Sequence, residues 1–101
     1  MPELTVIWWR DIPAQVVAKS GRTAARVQLT SRFQEAIDMA ATRVGLIGTD
    51  DYLNEWHRES RPCGDDLDAE AAAEAERLER AYADVALDGL VRAGGVAEGT
   101  P

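Results

Sequence analysis

His57 and Cys63 stand close enough in sequence to suggest a thiol nucleophile with its base, or two ligands of a metal ion. Neither reading gathers a full set, because zinc takes four protein ligands, or three plus water. Borrowing Glu59, Asp65 or Asp66 completes the number, but almost any acidic loop would do the same. Cys63 is followed by Gly64 and two aspartates and lacks the positive surroundings that stabilise a thiolate. Asp50-Asp51 and Asp65-Asp66 offer paired carboxylates for acid–base chemistry. Both pairs fall where helices are expected to begin, so capping explains them equally well. No phosphate-cradling glycine loop, G-x-S-x-G elbow or nucleotide fingerprint is present. The expectation is a chain without catalytic residues, metal or cofactor.

The other chemistry-bearing stretch is VIWWRDIPAQVV, Val6 to Val17. In a strand, Trp8 and Trp9 point to opposite faces, and a one-sided core takes only one of them. Packing is assigned to Trp8. Trp9 is expected to face a partner, since an exposed tryptophan buries much area at small entropic cost. Arg10, Asp11 and Gln15 complete this candidate binding surface. The plainer reading of Arg10 with Asp11 is a rim ion pair worth under about 1 kcal/mol.

The elements that must position these residues read as follows. Leu4 to Trp9, rich in β-branched and aromatic residues, predicts a first strand. Pro13 lacks an amide hydrogen and forces a turn or bulge nearby. AQVVAK and TAARVQLT predict a hairpin around Ser20-Gly21-Arg22. A competing reading makes Ile12 to Ser20 a short helix capped by Asp11, but Val16-Val17 favours a strand. Ser31 with Gln34 suggests a capping box for a helix whose stripe is Phe33, Ala36, Ile37, Ala40 and Val44. A second helix is expected from Thr49 or Asp50 to about Arg61, with Tyr52, Leu53 and Trp56 on one face. Beyond Pro62-Cys63-Gly64, Leu67 to about Ala93 reads as one long alanine-rich helix. Its stripe is Ala71, Ala75, Leu78, Tyr82 and Val85, and its stop is Gly94-Gly95. The residues from Val96 to Pro101 are expected to fray.

At 101 residues the chain has room for one modest core and no deep interdomain cleft. No apolar run approaches the roughly 20 residues that span a bilayer, and the single cysteine suits a reducing compartment. The expected location is cytoplasmic. The net charge of −7 is uneven: Met1 to Pro62 carries eight acidic and eight basic side chains, and Cys63 to Pro101 ten and three. Nucleic acid is therefore not the expected partner unless the first part presents a local basic surface. Such a surface exists in one reading. The order strand, helix, glycine turn, helix from Ala25 to Trp56 is similar to the ribbon-helix-helix DNA-binding fold, with Arg26 and Gln28 at base edges. Against it, Asp50-Asp51 would meet a phosphate at the second helix, and AQVVAK occupies the edge a dimer ribbon needs.

WWRDIPAQV, the glycine hairpin, RVQL, SRFQEAID and DDYLNEW together resemble the bacterial virulence factor domain family. The resemblance covers Leu4 to Glu59, W-R-D-I-P-A-Q-V being its most specific part, and the tail after Pro62 lies outside it. It implies an accessory or protein-interaction domain with no established catalytic residues. Related domains stand alone or form part of a larger conserved virulence factor with an iron-sulfur-scaffold-like segment and helical repeats. Stand-alone members are associated with genes for folate and corrinoid one-carbon transfer, which makes a one-carbon enzyme a candidate partner. The combined expectation is an α+β fold with a small antiparallel sheet of two to three strands, two short helices and a long C-terminal helix. Residues 1–62 form the α+β unit and 63–101 an acidic helical tail packed on it. That tail could regulate access to Trp9 and Arg10.

Overall fold

A computed structural model describes residues 1–97. Its elements in chain order are β1 (Glu3–Trp9), β2 (Ile12–Ser20), β3 (Thr23–Gln28), α1 (Ser31–Arg43), α2 (Asp50–Asn54), β4 (Trp56–Pro62), α3 (Leu67–Ala81) and α4 (Asp84–Arg92). The fold is α+β, with one antiparallel four-stranded sheet in the order β3-β2-β1-β4.

The first hairpin follows from the composition of its strands. Ile12–Ser20 is a strand, as the adjacent valines favour. Ile7 pairs with Gln15 and Trp8 with Pro13, so Ala14 is left over as a bulge beside the residue that cannot donate to a ladder. The Ala14 carbonyl accepts instead from the Leu29 amide at 3.1 Å. Gly21, with φ 58°, makes the tight turn into β3.

Three expected features differ. The helix assigned to Asp50 to Arg61 ends at Asn54, and β4 takes its place on the free edge of β1. Thr49 caps α2, its hydroxyl accepting from the Tyr52 amide at 3.4 Å, but Leu53 is exposed and no stripe continues. Trp56 instead pairs with Trp9, and the charged residues that follow suit a solvent-facing edge strand.

The long C-terminal helix is two helices, broken at Tyr82 and Ala83, and Val85 of the expected stripe is 86% exposed. No proline or glycine marks the break. Arg32 of α1 donates to the carbonyls of Tyr82 at 2.6 Å and Glu79 at 2.7 Å, satisfying groups that a helix end leaves open. The Tyr82 ring turns edge-on to Phe33 and Trp8, and α4 packs on α1.

The expected Ser31 capping box is absent as well. Thr30 is the N-cap of α1, and its amide and hydroxyl both donate to the Glu79 carboxylate, at 2.7 and 3.0 Å. Gln34 donates to Asp38 at 3.0 Å. At α3, the aspartates serve as the sequence implies, Asp66 accepting from the Ala69 amide at 3.2 Å.

α3 lies over β2 and β3, and α1 packs on β2. Leu4, Val6, Val16, Ala18 and Ala25 meet Ala71, Ala75 and Leu78 in the core. Two consequences position function. The β1–β4 half of the covered face is roofed incompletely, and the opposite face of the sheet carries no helix in its centre: Val17 and Ile7 belong to no part of the core cluster.

Candidate functional site

The expected Trp9 surface is not a surface. Trp9 is 0% exposed, its indole N–H donates to the Tyr52 carbonyl at 3.0 Å, and its ring packs at 5.7 Å from that of Tyr52. The chain's own C-terminal segment closes the remaining side. The Asp11 amide donates to the Gly95 carbonyl at 2.8 Å, and the Ala97 amide donates to the Asp11 carboxylate at 2.6 Å. Ala97, expected to fray, is thus tied to the hairpin tip; Glu98 to Pro101 lie outside the described residues.

Arg10 completes this clamp. Its guanidinium donates to Glu55 at 2.6 Å and to the Gly94 carbonyl at 2.9 Å, and it lies 5.2 Å from the Trp9 ring centre. Arg10 has φ 53°, a left-handed conformation disfavoured for a side chain with a Cβ, and the surrounding bonds hold it there. Of the four expected binding residues, Trp9, Arg10 and Asp11 therefore join the hairpin tip to the chain's end. Gln15 lies apart from them, half-buried in β2 opposite Ile7 and Gln28.

The tryptophan with an open side is Trp8. It shares a cross-strand pair with His57, the rings stacked at 6.4 Å and 7°, and meets the Tyr82 ring edge-on at 6.2 Å. Leu4, Val6 and Trp8 floor a groove of about 190 Å³, with Glu59 and Arg61 on one bank and Glu74 and Arg77 on the other. The Trp8 indole nitrogen is buried and has no hydrogen-bond acceptor among the described residues. A buried donor without a partner costs about 1–3 kcal/mol; with the nitrogen itself shielded from solvent, an incoming carbonyl or carboxylate recovers that cost only once a neighbouring side chain moves aside.

Electrostatics stiffen the α3 bank. Glu74 is 6% exposed, yet Arg77 donates to it through Nε at 2.9 Å and again through its terminal nitrogen, and Arg61 donates at 3.3 Å. The hydrogen bonds from Arg77 hold the Glu74 carboxyl below its ordinary range, against burial and with help from Arg61. Glu79 is also lowered: burial opposes ionisation, but the Thr30 amide and hydroxyl and Arg32 outweigh it. Burial raises the Tyr82 phenol, with the charges of Asp11 and Glu59 adding to the effect.

These two carboxyls predict an acid-sensitive fold. Their folded pKa values lie below the unfolded ones, so the stabilisation is complete above the unfolded carboxylate pKa of about 4.3. It is lost as pH falls through the folded values. Urea unfolding of Glu74→Gln from pH 7 to pH 3 is expected to show lower stability at neutral pH and a flatter acid limb than the parent.

The other candidate chemistry is dispersed. His57 Nε2 donates to the Arg10 carbonyl at 2.6 Å, whereas the Cys63 amide bonds to the Pro2 carbonyl at 3.3 Å. They stand at opposite ends of β4, about 20 Å apart at the rise of a strand. Among the described residues no group of three or more His, Cys, Asp or Glu could hold a metal ion. The ribbon-helix-helix geometry is not realised either. β3 is paired within the chain, and the second helix is a five-residue element followed by a strand.

The groove was hidden in the sequence because its residues come from β1, β4 and α3. The usable signal was the alternation His57, Glu59, Arg61, which reads as a strand once the helical stripe is seen to fail after Trp56.

No helix among the described residues is long and apolar enough to cross a membrane. No curated protein and no solved structure matches the chain. The family model described as "Virulence factor" matches residues 7–91, a span that takes in the bulged hairpin, β4, all of α3 and nearly all of α4. The match therefore runs past Pro62 and includes both banks of the groove, and over most of its length this chain belongs to the virulence factor family.

Proposed function

We propose that this chain is a non-enzymatic accessory domain that recruits another protein through the Trp8 groove. The observation that carries the reading is the buried, unpartnered indole N–H of Trp8, whose half-buried ring lines a groove between β4 and α3. Tryptophan, tyrosine and arginine dominate the energetics of protein interfaces, and Trp8, Tyr82, Arg61 and Arg77 meet here. The occupant is an extended segment that lays an apolar side chain against the half-buried Trp8 ring and presents a backbone carbonyl or carboxylate to the indole. The family resemblance makes a folate- or corrinoid-dependent one-carbon enzyme the first partner to try.

Trp8→Phe tests this reading, because it keeps an aromatic ring at the position while removing the N–H donor together with one of the two fused rings. Once a partner is obtained by native co-purification, calorimetry is expected to show affinity about five- to tenfold weaker for the variant. Folding stability is expected to fall by only about 1–2 kcal/mol, from the packing lost with the second ring, since no native hydrogen bond is lost. Equal affinity for both proteins would remove the groove from the account.

A further inference from the structure

The sheet face opposite α3 carries Lys19, Arg26 and Arg58 in an acidic chain. Strand register places Arg26 beside Val17, in line with Thr5, and Arg58 beside Ile7 in the neighbouring row. Lys19 extends the same face, and Glu3 is the single acid among its strand residues. Alternation fixes this: Leu4 and Val6 turn to the helices, so Thr5 and Ile7 turn away from them. Among the described residues Lys19, Arg26 and Arg58 form no ion pair, whereas Arg10, Arg32, Arg61, Arg77, Arg80 and Arg92 all do. The two arginines stand on the outer strands β3 and β4 in adjacent rows, about 16 Å apart at ordinary strand spacing, with half-buried Ile7 and buried Val17 between them.

The geometry points to a second docking surface here, whose occupant is an acidic protein segment with apolar residues along its centre. Charge complementarity selects its sign: carboxylates meet Arg26 and Arg58 on the two flanks, and aliphatic side chains meet Ile7. Nucleic acid fits less well. Single-stranded bases are held by stacking on aromatic side chains, and the centre of this face is aliphatic in a chain of net charge −7. Gln15 and Gln28, opposite one another on β2 and β3, supply neutral hydrogen-bonding groups that suit a polypeptide. This surface is separate from the Trp8 groove, so Trp8→Phe leaves it intact and either proposal can fail alone.

The test is an amide nitrogen–proton NMR titration of the full chain with a synthetic peptide alternating glutamate and leucine. The same peptide with lysine for glutamate, and oligouridine, serve as comparison ligands. The expected result is shifts centred on Thr5, Ile7, Gln15 and Val17, weakened by salt. Affinity should fall at least about tenfold in Arg26→Glu/Arg58→Glu. Should that double variant lose its dispersed spectrum, Arg58→Gln alone is expected to weaken binding severalfold in a folded protein. Shifts confined to the groove, equal binding of the lysine peptide, or tighter binding of oligouridine would each overturn the proposal. So would concentration-dependent self-association abolished by the charge reversal, since a second copy would then be the occupant.

Discussion

Gly95→Ala is expected to lose about 2–4 kcal/mol of folding stability, a fall in Tm on the order of 10–20 °C by calorimetry. Two independent effects add at this residue. Gly95 has φ 91°, where an L side chain is strained. A Cβ there would also stand 2.7 Å from Cζ3 of the Trp9 ring and 3.2 Å from Cε3, and an indole in a filled core has little room to retreat. The clamp gives the effect its reach, because the same residue accepts from Asp11 and donates to the Leu90 carbonyl at 2.7 Å. Gly89 in α4 is the contrast. It has open space around a Cβ and a helical backbone, so Gly89→Ala should stabilise by about 0.5–1 kcal/mol.

Trp9→Ala is expected to cost about 3–5 kcal/mol, the usual range for deleting a large aromatic ring from a core. Small domains hold about 5–15 kcal/mol in total, so this variant should be partly or wholly unfolded at 37 °C. The ring touches the closing segments of the chain as well as the sheet: Tyr52 before β4, Arg10 at the hairpin tip and Gly95 after α4. Loss of partner binding in Trp9→Ala would therefore report unfolding. Trp9→Phe separates the contributions. It keeps most of the packing and deletes the bond to the Tyr52 carbonyl, for an expected loss of about 1–2 kcal/mol in urea unfolding.

What was legible in the sequence was what local chemistry decides. Val16-Val17 indicates a strand, Gly21 the turn after it, and Phe33, Ala36, Ile37 and Ala40 a helix with one buried face. Asp66 announces the start of α3. The features that escaped depend on contacts distant in the chain. β4 has only one inward-leaning aromatic and otherwise charged residues, so its strand character comes from the unfilled edge of β1. The break at Tyr82 depends on Arg32, half the chain away, receiving the carbonyls that the helix gives up.

The burial of the Trp8-Trp9 pair was legible as a contrast but not in its order: Trp9 is buried and Trp8 is partly exposed. Alternation correctly sends Trp8 and Trp9 to opposite faces. Which of them is covered depends on α2 and on Gly95, contacts distant in the chain from the dipeptide. Arg26 and Gln28, placed at base edges in the ribbon reading, belong to the face of a four-stranded sheet and not to a two-stranded ribbon.

The measurement that tests the central claim most directly is the indole nitrogen–proton spectrum of the three tryptophans, free and with the co-purified partner. Trp8→Phe identifies the Trp8 resonance. The account predicts that this proton moves downfield and exchanges more slowly with water in the complex, as it gains an acceptor, while the Trp9 indole, already bonded to Tyr52, stays in place. A saturated complex in which the Trp8 indole neither shifts nor gains protection would contradict it.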